Sequence, residues 1–250
     1  MQVVVDSLLT HYETLGKGKT VVLLHGWGDS AAGLAGLQKA LAGRYRVLTV
    51  DLPGFGTTQV PPTVWGLDEY ATFVLHFLQK VAVKNVAAIV GHSNGGAVAL
   101  RGVAQGVLNP DKLVLLAAAG IRVRGGLKKL GFKALAKGGK AATVWLPAGQ
   151  RDKLRHKLYK SAGSDMLVVP ELQETFKKTV AQDLQADAAK LTLPVLLVYG
   201  EQDAATPVWY GECYHELMGS STLEILPGAG HFVHLDRPDD VVRAIEEFVQ

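Results

Sequence analysis

Ala88-Ile89-Val90-Gly91-His92-Ser93-Asn94-Gly95-Gly96-Ala97-Val98-Ala99 is the stretch that decides the fold of this 250-residue chain. It opens as an apolar strand, passes through a sharp turn and continues as a helix, with Ser93 at the centre of a Gly-x-Ser-x-Gly spacing. A serine forced into such a turn, with φ above zero, stands exposed at the top of a sheet. The turn draws the flanking backbones together, so the residues two positions to either side must be tiny; Gly91 and Gly95 meet that need. The helix that follows aims its positive end and unpaired N–H groups at the serine. Because the same spacing also arises by chance in plain strand–helix turns, the surrounding text has to decide.

Working outward, β-rich apolar runs recur at Thr20–Leu24, Tyr45–Val50, Val86–Val90, Leu113–Ala117, Val195–Tyr199 and Thr222–Leu226, several of them continuous in Val, Leu and Ile. Runs without in–out alternation belong to strands buried on both faces. Helical periodicity lies between them, as in Gly66–Val81 with apolar Tyr70, Phe73, Val74, Phe77 and Leu78. This alternation predicts a mostly parallel sheet joined by right-handed crossovers. Val3–Glu13 supplies one or two edge strands ahead of it. The pattern breaks once: from Ile121 to Lys190 no strand is legible, while helical, Lys-rich text runs through Leu127–Lys140, Arg151–Lys160 and Glu171–Leu191. The chain therefore divides into a core of residues 1–120 and 191–250 and a helical insertion of residues 121–190.

A serine nucleophile needs a base, and the base needs an orienting group. The carboxylate candidate is Asp203, just past the strand that ends in Tyr199, with Glu201 a weaker competitor nearer to it. The base candidate is His231, in the glycine-rich Gly228-Ala229-Gly230-His231-Phe232. All three stand at carboxyl ends of strands, where sites form in parallel sheets. A tetrahedral intermediate also needs two donors for its oxygen. The backbone N–H of Asn94 is one; the other is that of Trp27, in the His25-Gly26-Trp27-Gly28 loop after the first buried parallel strand. Trp27, Trp145, Leu146 and Phe232 are the candidate pocket residues. Phosphate binding is rejected: Gly18-Lys19-Thr20 leads into a strand, and Glu13 stands where a P-loop needs its first glycine. His25 and His92 read as structural loop residues, while His11, His76, His156 and His215 have no partners that sequence identifies. His234 lacks neighbours at ligand spacing, so no metal and no cofactor is expected.

Taken together, His25-Gly26-Trp27-Gly28, Asp51-Leu52-Pro53-Gly54-Phe55-Gly56, Gly91-His92-Ser93-Asn94-Gly95-Gly96, Tyr199-Gly200-Glu201-Gln202-Asp203 and Gly230-His231-Phe232 resemble the α/β-hydrolase fold family of serine hydrolases. The resemblance runs from about residue 20 to 250. It implies an α/β fold with an eight-stranded, mostly parallel sheet flanked by helices and a helical cap inserted after strand 6, with Ser93, Asp203 and His231 as triad. It also implies that Asp51 and Pro53 belong to a shaping turn. Members that open epoxides or remove halides have Asp at the nucleophile position, and Ser93 argues against both. Asn94 departs from the aromatic residue that follows the serine in iminopeptidases. Ester and thioester hydrolysis lead; carbon–carbon bond hydrolysis, perhydrolysis and a non-turnover ligand-binding receptor remain open.

Composition narrows the setting. The chain is 48% hydrophobic and 20% charged, as globular proteins are, with a net charge of +3. A single cysteine, Cys213, excludes an internal disulfide, and the N-terminal text lacks a secretory pattern, so a cytoplasmic location is expected. No apolar run approaches a membrane span. The small net charge hides a division: residues 120–190 hold 15 Lys and Arg against six Asp and Glu, a local +9, and the remainder is −6. A basic insertion over an acidic core draws anionic acyl substrates. Arg122, Arg124, Arg151 and Arg155 are candidates to meet a substrate carboxylate, against the alternative that they face solvent. No nucleic-acid motif accompanies these cations. A monomer or small homo-oligomer acting on a small molecule is expected.

Overall fold

A computed structural model describes residues 1–122 and 169–250. The expected helices at Leu127–Lys140 and Arg151–Lys160, and residues Arg124, Trp145, Leu146, Arg151, Arg155 and His156, lie outside them. Eight strands form one sheet in the order β1-β2-β4-β3-β5-β6-β7-β8. They are β1 (Gln2–Val5), β2 (Leu8–Leu15), β3 (Thr20–Leu24), β4 (Arg46–Val50), β5 (Ala88–His92), β6 (Lys112–Leu116), β7 (Val195–Gly200) and β8 (Ser221–Leu226). Pairs β1–β2 and β2–β4 are antiparallel and all others parallel. The sheet is thus the eight-stranded, mostly parallel α/β architecture that the motifs imply; the opening segment supplies the edge strand β1 and its neighbour β2, and β8 forms the other edge. Among the described residues no helix is long and apolar enough to cross a membrane.

The continuous apolar runs divide by the two-residue period of a strand. Val22, Leu24, Ile89, Leu113, Leu115, Val195 and Leu197 point to one core; Val21, Leu23, Ala88, Val90, Val114, Leu196 and Val198 point to the other. Against the first pack α2 (Leu67–Lys80) and α3 (Asn94–Ala104), with α5 (Gln185–Ala188) and α6 (Val208–Leu217). Against the second pack α1 (Ala35–Leu41) and α8 (Pro238–Val249). In α2 the periodic residues Tyr70, Phe73 and Phe77 are wholly buried, worth roughly 1.5–3 kcal/mol each. Its start is set by Gly66, whose N–H donates to Glu69 Oε2 at 2.6 Å. Two further short helices, α4 (Gln173–Ala181) and α7 (Val233–Asp236), border the open end of the sheet.

Chain order reverses around β3: its successor β4 lies on one side and β5 on the other. Such a switch point leaves a crevice outside the carboxyl ends of the two central strands. The loops leaving β3 and β5 are those that carry Trp27 and Ser93. Beyond β6 the backbone is held at successive carbonyls. Ala118 O accepts the Tyr199 hydroxyl at 2.9 Å, Ala119 O the Tyr214 hydroxyl at 2.8 Å, and Gly120 O the Leu184 N–H at 2.8 Å.

Candidate active site

Ser93 links β5 to α3 with φ 51° and ψ −115°, the positive φ expected of it. The glycine requirement is steric. A Cβ on Gly91 would stand 2.5 Å from Gly96 Cα, and one on Gly95 would stand 2.4 Å from Leu24 O and 2.5 Å from His25 O. The second contact seats the start of α3 against the loop after β3. Ser93 N–H donates to Leu116 O at 2.9 Å and its carbonyl accepts Ala119 N–H at 3.1 Å, which moors the turn to β6.

His231 Nε2 lies 3.0 Å from Ser93 Oγ, and its Nδ1 lies 2.8 Å from Asp203 Oδ2. The three residues are 138 and 28 positions apart along the chain and meet only at the end of the sheet. Asp203 accepts four donors: Ala205 N–H (2.7 Å) and Thr206 N–H (2.9 Å) on Oδ1, Thr206 Oγ1 (2.7 Å) and His231 on Oδ2. Burial alone would raise this carboxyl, but the bonds and charge of His231 and the bonds from Thr206 outweigh it and hold it below its ordinary range. An ionised, saturated carboxylate holds the imidazole with its Nδ1 protonated, leaving Nε2 free to accept the serine proton. Glu201, the competing carboxylate, instead accepts Gly228 N–H at 3.0 Å and braces the loop before His231.

Neither Trp27 N–H nor Asn94 N–H has an acceptor among the described residues. Asn94 is the first residue of α3, where the N–H has no intrahelical partner and the helix dipole is positive. Trp27 and Asn94 both line a cavity of about 180 Å³, as do Ser93 and His231. Trp27, Phe176 and Val180 form an apolar wall, with Trp27 and Phe176 ring centroids 5.0 Å apart; Arg122 and Tyr210 add polar groups. Phe232 does not join this lining: it is 45% exposed, and its ring lies 5.2 Å from that of His92. Arg122 does reach the cavity, while its guanidinium also donates to the Ala181 carbonyl.

Two other histidines brace the site. His25, fully buried, donates from Nδ1 to Gly26 O (2.8 Å) and accepts Leu52 N–H on Nε2 (2.9 Å), tying the Trp27 loop to the segment after β4. His92 donates from Nε2 to the His231 carbonyl at 2.9 Å. Burial pushes the His92 pKa well below its usual value, helped by His234 and His231. Asp51 is a buried acceptor for Ala31 N–H (2.7 Å) and Thr57 N–H (2.9 Å), as a turn-shaping residue should be, and faces His11 Nδ1 at 3.1 Å. His76 pairs with Asp6 at 2.9 Å and His215 with Ser221 at 2.8 Å. Those partners lie 40 and 70 positions away for His11 and His76, beyond any local pattern. Sequence alone marks none of Thr206, Phe176 and Tyr210, since the three-residue spacing of Thr206 from Asp203 is common in turns.

A profile described as the alpha/beta hydrolase family matches residues 21–244. The pimeloyl-[acyl-carrier protein] methyl ester esterase of Chromobacterium violaceum is 29% identical, over 95% of this chain and 97% of that protein. The 2-hydroxy-6-oxo-6-(2'-aminophenyl)hexa-2,4-dienoic acid hydrolase of Metapseudomonas resinovorans is 25% identical, over 96% and 87%. In backbone, the enol-lactonase from Burkholderia xenovorans superposes with a TM-score of 0.77 at 20% identity, covering 100% of this chain and 99% of that one.

Proposed function

This chain belongs to the α/β-hydrolase family, and from that premise we propose that it is a serine hydrolase cleaving a carboxylic ester or thioester of a small acyl substrate. The observation that carries the reading is the run of contacts from Ser93 Oγ to His231 Nε2 and from His231 Nδ1 to Asp203, at 3.0 and 2.8 Å. Ser93 Oγ attacks the carbonyl carbon as its proton passes to His231 Nε2, and Asp203 balances the imidazolium charge. The backbone N–H groups of Trp27 and Asn94 hold the oxyanion, each such donor contributing about 3 kcal/mol. Collapse breaks the bond to the alkoxide or thiolate, which takes the proton from His231. Water then loses a proton to His231 and attacks the acyl-enzyme, and as the acid departs His231 returns that proton to Ser93 Oγ.

Residues 121–190 are read as the cap over this cavity, with an anionic group on the substrate suited to their positive charge, in a cytoplasmic setting. The 29% identity to the methyl ester esterase supports ester chemistry. A second reading, hydrolysis of a carbon–carbon bond, is favoured by the 25% identity to the oxo-dienoic acid hydrolase. A fluorophosphonate probe, followed by peptide mapping, tests the serine. Labelling at Ser93, lost in Ser93→Ala, is expected, together with turnover on a panel of esters varied in acyl length and charge. An unlabelled Ser93, or a Ser93→Ala variant with near-wild-type turnover, overturns the assignment; turnover confined to an oxo-dienoate moves it to the second reading.

A further inference from the structure

The side chain of Thr206 turns back beneath the Asp203 carboxylate and is 4% exposed as a residue. Its Oγ1 lies 2.7 Å from Asp203 Oδ2, 3.2 Å from His231 Nδ1 and 3.0 Å from Ala117 O. A hydroxyl has one proton for these neighbours. Two oxygens 2.7 Å apart, one in an ionised carboxylate, require a proton between them, so the hydroxyl donates to Asp203. Its lone pairs then face the Nδ1–H of His231. The third neighbour is fixed by the chain itself: Ala117, directly after β6, has φ 47°, a conformation rare for alanine, and its N–H donates to Val198 O at 2.8 Å. Strain of this kind persists where the surroundings over-determine it.

We propose that Thr206 is a positioning residue for the hydrolysis: its hydroxyl holds the Asp203 oxygen that faces the imidazole, and so sets the angle at which His231 meets Ser93. The proposal rests on the serine-hydrolase reading of Ser93, His231 and Asp203. The two backbone donors to Oδ1 do not involve the hydroxyl, so the Asp203 loop keeps its anchor when the hydroxyl is removed. What is lost is the constraint on Oδ2, the oxygen that His231 uses. One donor fewer on a buried carboxylate also raises its basicity and strengthens its hold on the imidazolium. Of the other groups around the ring, burial lowers the pKa values of His92, on β5, and His234, on α7, and raises that of Tyr210, on α6. Arg122 lines the cavity across from them.

The test compares Thr206→Val and Thr206→Ser with the wild type in kcat, KM, the pH profile of kcat/KM and the rate of fluorophosphonate labelling. Thr206→Val is expected to lower kcat and the labelling rate about tenfold with KM little changed. Its acid limb should move up by about half a pH unit. Thr206→Ser should restore both, because the hydroxyl is present again. If Thr206→Val does not fold, Thr206→Ala, which cannot overfill the site, carries the same expectations. A valine or alanine variant with wild-type rate and acid limb, or a serine variant as slow as the valine one, overturns the proposal. Failure of the wild type to label at Ser93 is a separate result and overturns the reading beneath it.

Discussion

Lowering the pH from 7 to 5.5 should remove a large part of the folding free energy, because three histidines are built into the fold in neutral form. His25, His92 and His234 are 0%, 1% and 3% exposed, and burial lowers the pKa of each from the ordinary 6.5. The unfolded chain takes up their protons and the folded one resists. Stability from them is therefore complete above about pH 6.5 and is lost as pH falls from there towards the folded values. At pH 5.5 an unfolded histidine holds about 0.9 proton, so each group contributes a slope of about 1.2 kcal/mol per pH unit. Integrated from pH 7, the three together cost about 3–4 kcal/mol if they stay neutral in the fold, against a total of about 5–15 kcal/mol for a typical domain. Asp203, held below the usual carboxylate range, loses its contribution only in more acid solution, outside this window. Urea unfolding at half-unit pH steps, extrapolated to water, gives the slope directly. His92→Gln, which keeps a donor for the His231 carbonyl, should remove about a third of it. Stability that stays flat between pH 6.5 and 5.5 would refute the reasoning.

Two further expectations follow from geometry and charge. Gly95→Ala would set a methyl 2.4 Å from the Leu24 carbonyl, so α3 must shift; activity should fall by at least about a hundredfold while circular dichroism stays largely helical, and a variant of normal activity would contradict the close approach. If the +9 of residues 120–190 steers substrate, kcat/KM for a dicarboxylic half-ester should fall with added salt while that for a neutral ester of equal length does not, as salt titrations of the two would reveal.

The fold was legible because its strands are unusually plain: Val21, Leu23, Val114 and Leu116 need no partner to be recognised as doubly buried. Ends were harder. The third apolar run was expected to end at Val90, yet β5 continues to His92, since Gly91 and His92 pair in register with Leu115 and Leu116 of β6. Hydrogen-bond partners, and not apolarity, determine where a strand stops. Ser93 and Asp203 could be picked out because each follows a buried strand, and His231 because it stands in glycine-rich text after the last strand. Thr206 could not, since a hydroxyl three residues beyond an aspartate is ordinary turn chemistry until the fold delivers His231 to it. Phe232 was expected in the pocket for its place beside His231; adjacent residues on a turn point in different directions, and it faces His92 and solvent instead.

The neck formed where Gly120 O meets Leu184 N–H, with Tyr199 and Tyr214 clasping the carbonyls beside it, has a consequence for how such a protein diversifies. Gly120 and Leu184 are thus fastened to each other and to the sheet by bonds that do not involve Ser93, His231 or Asp203. Sequence change in the stretch between them can therefore proceed without altering the spacing of those three residues, and the two can vary as separate traits.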